Sequence, residues 1–323
     1  MLIVAHKIAI GSTTLTSGKS SRLLALETDA NLAVPVNCCR IVVDGEAQVS
    51  AQPGDTVKIE VGYDSSLEVV FTGTVASVER SLQRITVEAH SSFAAMTASR
   101  FNSVYAQQAA GEIAGDLMGR LNVKKSTVDN GEKFAAYAVS DHQTVWEALN
   151  DLAQYCGFDF YADSHDKAVF TKYSASTTHS FNYGANILDY ERCIADPPLD
   201  GVEVYGESPV GQGQGDDASS WLTKKPVKGA AGKSSGEVLR IANPAARTQS
   251  LAKTLATNLF RSNQVKARGT IRVIGAPKVQ LGDAIQVSSM PESSDNGTFK
   301  VVGVRHRLSS KKGFVTSIEW EKN

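Results

Sequence analysis

The sequence has no run of about 18 apolar residues, the length a membrane-spanning helix requires. It also lacks any excess of basic charge. Lys and Arg number 33 against 34 for Asp and Glu, a formal charge of −1, whereas a nucleic-acid binder carries a basic surplus or stripe. Cysteine is scarce: Cys38, Cys39, Cys156 and Cys193 show neither C-x-x-C nor a zinc-type Cys/His spacing. Neighbouring residues rarely meet disulfide geometry, so Cys38 and Cys39 are not expected to bridge. All four are expected as buried or half-buried free thiols, which fits assembly in a reducing compartment. H-E-x-x-H and G-x-S-x-G are both missing, and the six histidines (His6, His90, His142, His165, His179 and His306) are scattered. No carboxylate pair stands out for glycosidase chemistry. The N-terminal segment MLIVAHKIAIGSTTL has no basic leader, and His6 and Lys7 interrupt it, so it reads as a first strand and not as a signal peptide.

What is present is a succession of short alternating runs. Leu2, Val4, Ile8 and Ile10 share one face of a strand. Ile41–Val43, Thr56–Val61, Glu68–Val78 and Arg84–Ala89 follow, separated by turn-forming Gly, Pro, Asp and Ser. Such spacing predicts a small barrel or sandwich. The period then changes. Tyr105, Ala109, Ile113, Leu117 and Leu121 recur every four residues and predict a helix over Val104–Leu121. Gly111, Gly115 and Gly119 form a second stripe on it. Tight packing within the domain is the preferred reading of that stripe, and Gly115→Leu is expected to disturb the unit. A second helix is predicted from a Ser140/Gln143 capping box to Gly157, with Val145, Leu149, Leu152 and Cys156 on its apolar face. A hairpin of Phe158–Tyr161 and Ala168–Tyr173 then turns at Asp163-Ser164-His165-Asp166.

From Gly201 the pattern returns to β. A polar, glycine-rich stretch over Glu207–Gly236 reads as a long loop, mobile in the free subunit or ordered by a neighbour. Within it, Gly211-Gln-Gly-Gln-Gly215 is followed by Asp216 and Asp217, which would repel phosphate, so it is no nucleotide loop. Asn243-Pro244 predicts the start of a third helix with Leu251, Leu255 and Leu259 on one face. Strands Thr270–Ile274, Ala284–Val287, Phe299–Val304 and Phe314–Trp320 finish the chain. The two β regions echo one another. Gly54-Asp55, Gly73-Thr74, Val78–Leu82 and Val87-Glu88 match in order Gly282-Asp283, Gly297-Thr298, Val304–Leu308 and Ile318-Glu319. Duplication of one β unit around an α+β insertion follows.

Three stretches carry a resemblance to a known family. They are SRFNSVYAQQAAGEIAGDLMGRLNV (99–123) with TVWEALNDLAQYCGFDFY (144–161), FNYGANILDYE (181–191), and ARTQSLAKTLATNLFRSN (246–263) running through APKVQLGD (276–283) to GTFKVVGVRH (297–306). In order and spacing they resemble the phage late-control D protein family, which includes tail baseplate hubs and the N-terminal hub part of VgrG spike proteins. The resemblance covers most of residues 97–323. It implies a non-enzymatic, trimeric hub whose two tandem barrels per chain make a ring of six similar domains. Partners implied are a tail tube protein or tube initiator, a central spike and baseplate wedge proteins, with DNA or other cargo only passing through the lumen. The implied setting is the baseplate of a virion or phage-tail-like particle assembled in the bacterial cytoplasm. The sequence shows no neck, needle or lysozyme-like segment after the second barrel, so spike and wall-degrading enzyme are expected as separate proteins.

The expected fold is mixed and mainly β: a first barrel over residues 1–96, an α+β domain over 97–195, and a second barrel over 196–323 carrying the loop 207–236 and a helix over 244–262. No catalytic, cofactor-binding or metal-ligating residue is nominated. A phage-associated cell-wall hydrolase, or a β module binding oligosaccharide or nucleic acid, is the competing class.

Overall fold

The computed structural model describes residues 3–18, 21–206 and 227–322. Seven strands open the chain: β1 (Val4–Ile10), β2 (Thr13–Thr16), β3 (Leu23–Asn31), β4 (Cys38–Asp44), β5 (Thr56–Tyr63), β6 (Ser66–Arg80) and β7 (Arg84–His90). After these come α1 (Phe93–Ala98), β8 (Ser103–Ala109), α2 (Ala110–Arg120), β9 (Lys125–Val128), β10 (Lys133–Val139), α3 (Val145–Cys156), β11 (Phe158–Ala162) and β12 (Ala168–Lys172). There follow β13 (Thr178–Asn182), β14 (Ile187–Ile194), β15 (Gly201–Gly206), β16 (Val227–Gly232), β17 (Val238–Asn243) and α4 (Gln249–Ser262). β18 (Ala267–Ile274), β19 (Ala284–Ser288), β20 (Gly297–Ser309) and β21 (Gly313–Lys322) complete the chain.

The fold is mixed and mainly β, but the two expected barrels do not close. Among the described residues both β regions belong to one 13-stranded sheet. The reason is where β3 spends its free edge. It bonds β4 on one side and β20 on the other, through Gly303↔Asn31 to Ser309↔Ala25, and so welds one unit to the other. Alternation along the strands buries one face of each unit. Ile8, Ile41, Ile59 and Val87 make the first core, and Ile271, Ile285, Val301, Ile318 and Trp320 the second.

A third core gathers α1–α4 around Phe134, Phe170, Ile113, Leu149 and Leu255. It also takes Val202 and Val204 of β15, which lies between β16 and β17 in a separate sheet. The chain therefore crosses between units more often than a three-part division at 97 and 196 allows. β13 and β14 precede residue 196 yet pair in the second β unit, and α4 follows it yet packs into the middle core. Residues 207–226 of the expected loop, Gly211–Gly215 included, lie outside the described residues; residues 227–232 are strand β16, paired to β15.

Three helix boundaries differ from expectation. The helix over Val104–Leu121 is instead a strand followed by a shorter helix, because Gln107 takes φ +56, which a helix cannot continue through. Glu112 then caps α2 by accepting from the Ala109 N–H at 2.7 Å. The α3 capping box is Thr144/Glu147, one turn after Ser140/Gln143. The Glu147 N–H donates to Thr144 Oγ1 at 3.2 Å, and the Thr144 N–H donates to Glu147 Oε2 at 2.7 Å. α4 starts at Gln249 under Thr248, since Asn243 instead turns the chain by accepting from the Ala245 N–H at 2.9 Å. Gly157 ends α3 at φ +66, as expected, and the named apolar faces of α3 and α4 are buried. Of the glycine stripe only Gly111 is tightly packed. A Cβ there would lie 2.2 Å from the Asp129 carbonyl, whereas Gly115 would meet only Lys125 Nζ at 3.5 Å and Gly119 nothing. The cysteines also divide: Cys39 and Cys156 are buried, but Cys38 and Cys193 are exposed, all four free.

Candidate assembly interface

The duplication is carried down to single hydrogen bonds. At the entry to β5, Gly54 has φ +95, the Gln52 N–H donates to Asp55 Oδ2 at 2.9 Å, and the Val75 N–H donates to the Asp55 carbonyl at 2.8 Å. At the entry to β19, Gly282 has φ +81, the Gln280 N–H donates to Asp283 Oδ2 at 3.0 Å, and the Val301 N–H donates to the Asp283 carbonyl at 2.9 Å. Only a left-handed residue makes this turn without strain, which explains glycine at both places. Strand order repeats too: β3-β4-β7-β6-β5-β1 in the first unit and β14-β18-β21-β20-β19-β13 in the second. The neighbour senses agree except for the last, since β1 runs antiparallel to β5 and β13 parallel to β19.

Even the irregularities coincide. β6 slips against β7 between Val75 and Ser77, and β20 slips against β21 between Val301 and Gly303. β3 slips against β4 between Leu23 and Ala25, and β14 slips against β18 between Ile187 and Asp189. Bulges re-aim a strand and are reproduced where the local geometry is reproduced.

The seam between units is chemically explicit. Val304 faces Ala30 and Leu308 faces Leu26, while buried His306 lies opposite buried Thr28. His306 Nδ1 is 3.0 Å from Thr316 Oγ1, and burial holds its imidazole down at about 4. On the solvent face Arg305 Nε donates to Asp29 at 2.8 Å, Arg307 donates to Glu27 at 3.0 Å, and Asn31 donates to Glu319 at 2.8 Å. Arg40 lies 3.9 Å from Glu88 and Arg272 3.5 Å from Asp189, so charge of both signs interleaves across this face.

The polar side chains at the hairpin turn and at the entry to β19 bond to the local backbone and to one another. Asp163 Oδ1 accepts from the N–H groups of His165 and Lys167, both at 2.9 Å, the expected turn. Asp166 Oδ1 accepts from the Ser92 N–H and hydroxyl, joining that turn to α1. Asp283 gathers Ser176 Oγ at 3.0 Å and His179 Nε2 at 2.9 Å. In a nucleophilic triad the serine bonds the histidine; here both bond the aspartate, which steadies the turn into β19. No cluster of three or more metal-ligating side chains occurs among the described residues, and no helix there is long and apolar enough to cross a membrane. Neither β3 nor β14 is among the strands expected from sequence. The only local signal was a short alternation, such as Leu26 and Thr28 in β3.

A family model described as Alg8 N-terminal domain matches residues 4–310, and the chain belongs to that family. The family so reached is not the late-control D family that the sequence motifs resemble. No curated protein matches the sequence. Among solved structures, the chain is similar to the 43 kDa tail protein of prophage MuSo2 from Shewanella oneidensis, with TM-score 0.72, 15% identity, and 98% of each chain covered. It is equally similar to a tail protein from Neisseria meningitidis MC58, with TM-score 0.72 and 15% identity over 99% of this chain and 96% of that one. A chain of the half-lidded Francisella PdpA–VgrG complex matches with TM-score 0.59 and 8% identity, covering all of this chain and 58% of that one. At these identities the matches establish a shared fold, that of two phage tail proteins and of a chain of the PdpA–VgrG complex.

Proposed function

We propose that the chain is a non-enzymatic baseplate hub subunit of a contractile phage tail or related injection machine, of the late-control D type. It acts as a homotrimeric adapter joining a hexameric tail tube to a trimeric spike and forms part of the central channel. The observation that carries this reading is the duplicated six-strand unit. A hexameric ring can be continued by three chains only if each chain presents the same edge twice, and closed symmetry demands such matched patches. The interleaved ion pairs of the sheet's solvent face suit a channel wall that lets cargo pass without holding it. Likeness in fold to phage tail proteins and to the PdpA–VgrG complex supports the setting. In this reading the partners are the tube protein or its initiator, the spike and the wedge proteins, in a particle baseplate assembled in the bacterial cytoplasm. Native mass spectrometry of the purified protein, with and without the spike, tests it. A trimer is expected in both; a chain that stays monomeric at every concentration and with the spike present refutes the adapter.

A further inference from the structure

We propose that the last residues of β6 in one copy of this chain pair antiparallel with β14 of the next copy, in the register that β20 and β3 already use within the chain. The proposal rests on the trimeric reading and gives that trimer its contact. Each unit has two ring-forming edges: the far half of its long strand, β6 or β20, and its end strand, β3 or β14. Inside the chain one of each is consumed, as β20 bonds β3. The two left over are the far half of β6 and the outer edge of β14. Among the described residues, β6 is paired beyond Thr74 only to β7, and β14 only to β18.

The duplication sets the register. Val75 and Val301 occupy the same place after the Gly-Asp turn, so Val78 stands where Val304 does and Glu79 where Arg305 does. The coincident slips place Tyr190 where Leu26 is and Cys193 where Asp29 is. Transferring the seam gives Ser77 opposite Ala195, Val78 opposite Ile194, Glu79 opposite Cys193 and Arg80 opposite Arg192. The apolar pair Val304–Ala30 becomes Val78–Ile194. Leu82, in the turn just past β6, is carried towards Tyr190, as Leu308 meets Leu26.

At its apolar positions the surface agrees with this. Ile194 is 66% exposed and Leu82 100% exposed, while Leu26 and Val304 of the occupied seam are buried. Bare apolar edges of this kind invite another strand, and a second copy supplies the one that fits. The contact is heterologous, one patch against a different patch, so it propagates head to tail, closing into a ring where the rotation allows, and does not give a two-fold dimer. Glu79 would also stand one strand away from Arg268, which pairs with Cys193 across β18.

Cys193 is exposed and native, which makes a direct test available. Along one chain's sheet, seven strand spacings separate β6 from β14, a path of roughly 33 Å, and a bridge closed within one chain would leave the monomer mass unchanged. Directly opposed residues of antiparallel strands lie within disulfide range. Mild oxidation of the full-length Glu79→Cys variant should give a covalent ladder that stops at three chains, and adding Cys193→Ser should abolish it although Cys38 is still present. Separately, Ile194→Asp should weaken association at least tenfold with the thermal melt of the dissociated chain unchanged. A native trimer whose Glu79→Cys form cross-links no more than wild type, or an Ile194→Asp variant that associates normally, overturns this pairing and leaves the hub reading standing. A chain monomeric under all conditions overturns both.

Discussion

Replacing Gly111 and Gly119 of α2 by alanine, one at a time, should move stability in opposite directions. Both lie on the same stripe of the same helix, and alanine improves helix propensity over glycine by up to about 1 kcal/mol. At Gly119 a methyl group meets nothing within 4 Å, so most of that gain survives; the position is near the helix end, and about 0.5 kcal/mol of stabilisation is expected. At Gly111 the new Cβ would lie 2.2 Å from the Asp129 carbonyl oxygen and 2.8 Å from its carbon. Both are backbone atoms, and that segment is held by the Gly111 N–H donating to the Asn130 carbonyl at 2.9 Å and the Asp129 N–H donating to the Phe170 carbonyl at 2.9 Å. Neither side can yield cheaply, and overpacking of this kind costs about 1–3 kcal/mol. The net loss of about 1–2 kcal/mol should lower Tm by about 1.5–3 °C, against a small rise for Gly119→Ala. Gly115→Ala should follow Gly119, since its only close neighbour is the flexible end of Lys125. Thermal melts of the three variants decide it. If Gly111→Ala is neutral, or Gly119→Ala destabilises as much, the stripe does not work by the contact described.

His306 gives a pH signature. Its imidazole is held neutral at about 4 in the fold against 6.5 free, so the unfolded chain takes up a proton that the folded chain refuses. Its contribution is complete above pH 6.5, declines between pH 6.5 and 4, and amounts to about 3 kcal/mol over that window. His306→Gln should flatten the acid limb of a stability-against-pH curve; an unchanged slope refutes the assignment. The seam ion pair should be modest. Asp29→Ala and Arg305→Ala should show a coupling of about 0.5–1 kcal/mol in a double-mutant cycle, smaller in 1 M salt, because both side chains are partly exposed. A coupling near zero at low salt would mean that the Asp29–Arg305 pair adds nothing to the strand pairing and the Val304–Ala30 and Leu308–Leu26 contacts of the seam.

Local signals in this sequence determined what local physics determines. The four-residue period of Leu251, Leu255 and Leu259, the glycine that ends α3, and the two Gly-Asp turns are each set within a few residues, and the structure has them in place. The motif order likewise disclosed the duplication, although Gly73-Thr74 does not match Gly297-Thr298 in space: Gly73 stands opposite Val57 where Phe299 stands opposite Ile285. The helix over Val104–Leu121 failed where a long-range partner intervened: β10 takes Ser103–Ala109 as a strand, against the period of its side chains. β16 was hidden for the same reason, since Val227–Gly232 has too few apolar residues to declare a strand and is one only because β15 lies beside it. The single sheet was beyond the sequence altogether. An edge strand carries the same alternation whether it closes its own unit, joins its duplicate or waits for another chain. Which of these β3 and β14 do is settled by backbone hydrogen bonds to residues far away in the chain, and only the tertiary structure shows that β3 is taken and that β14 has no partner strand on its outer edge among the described residues.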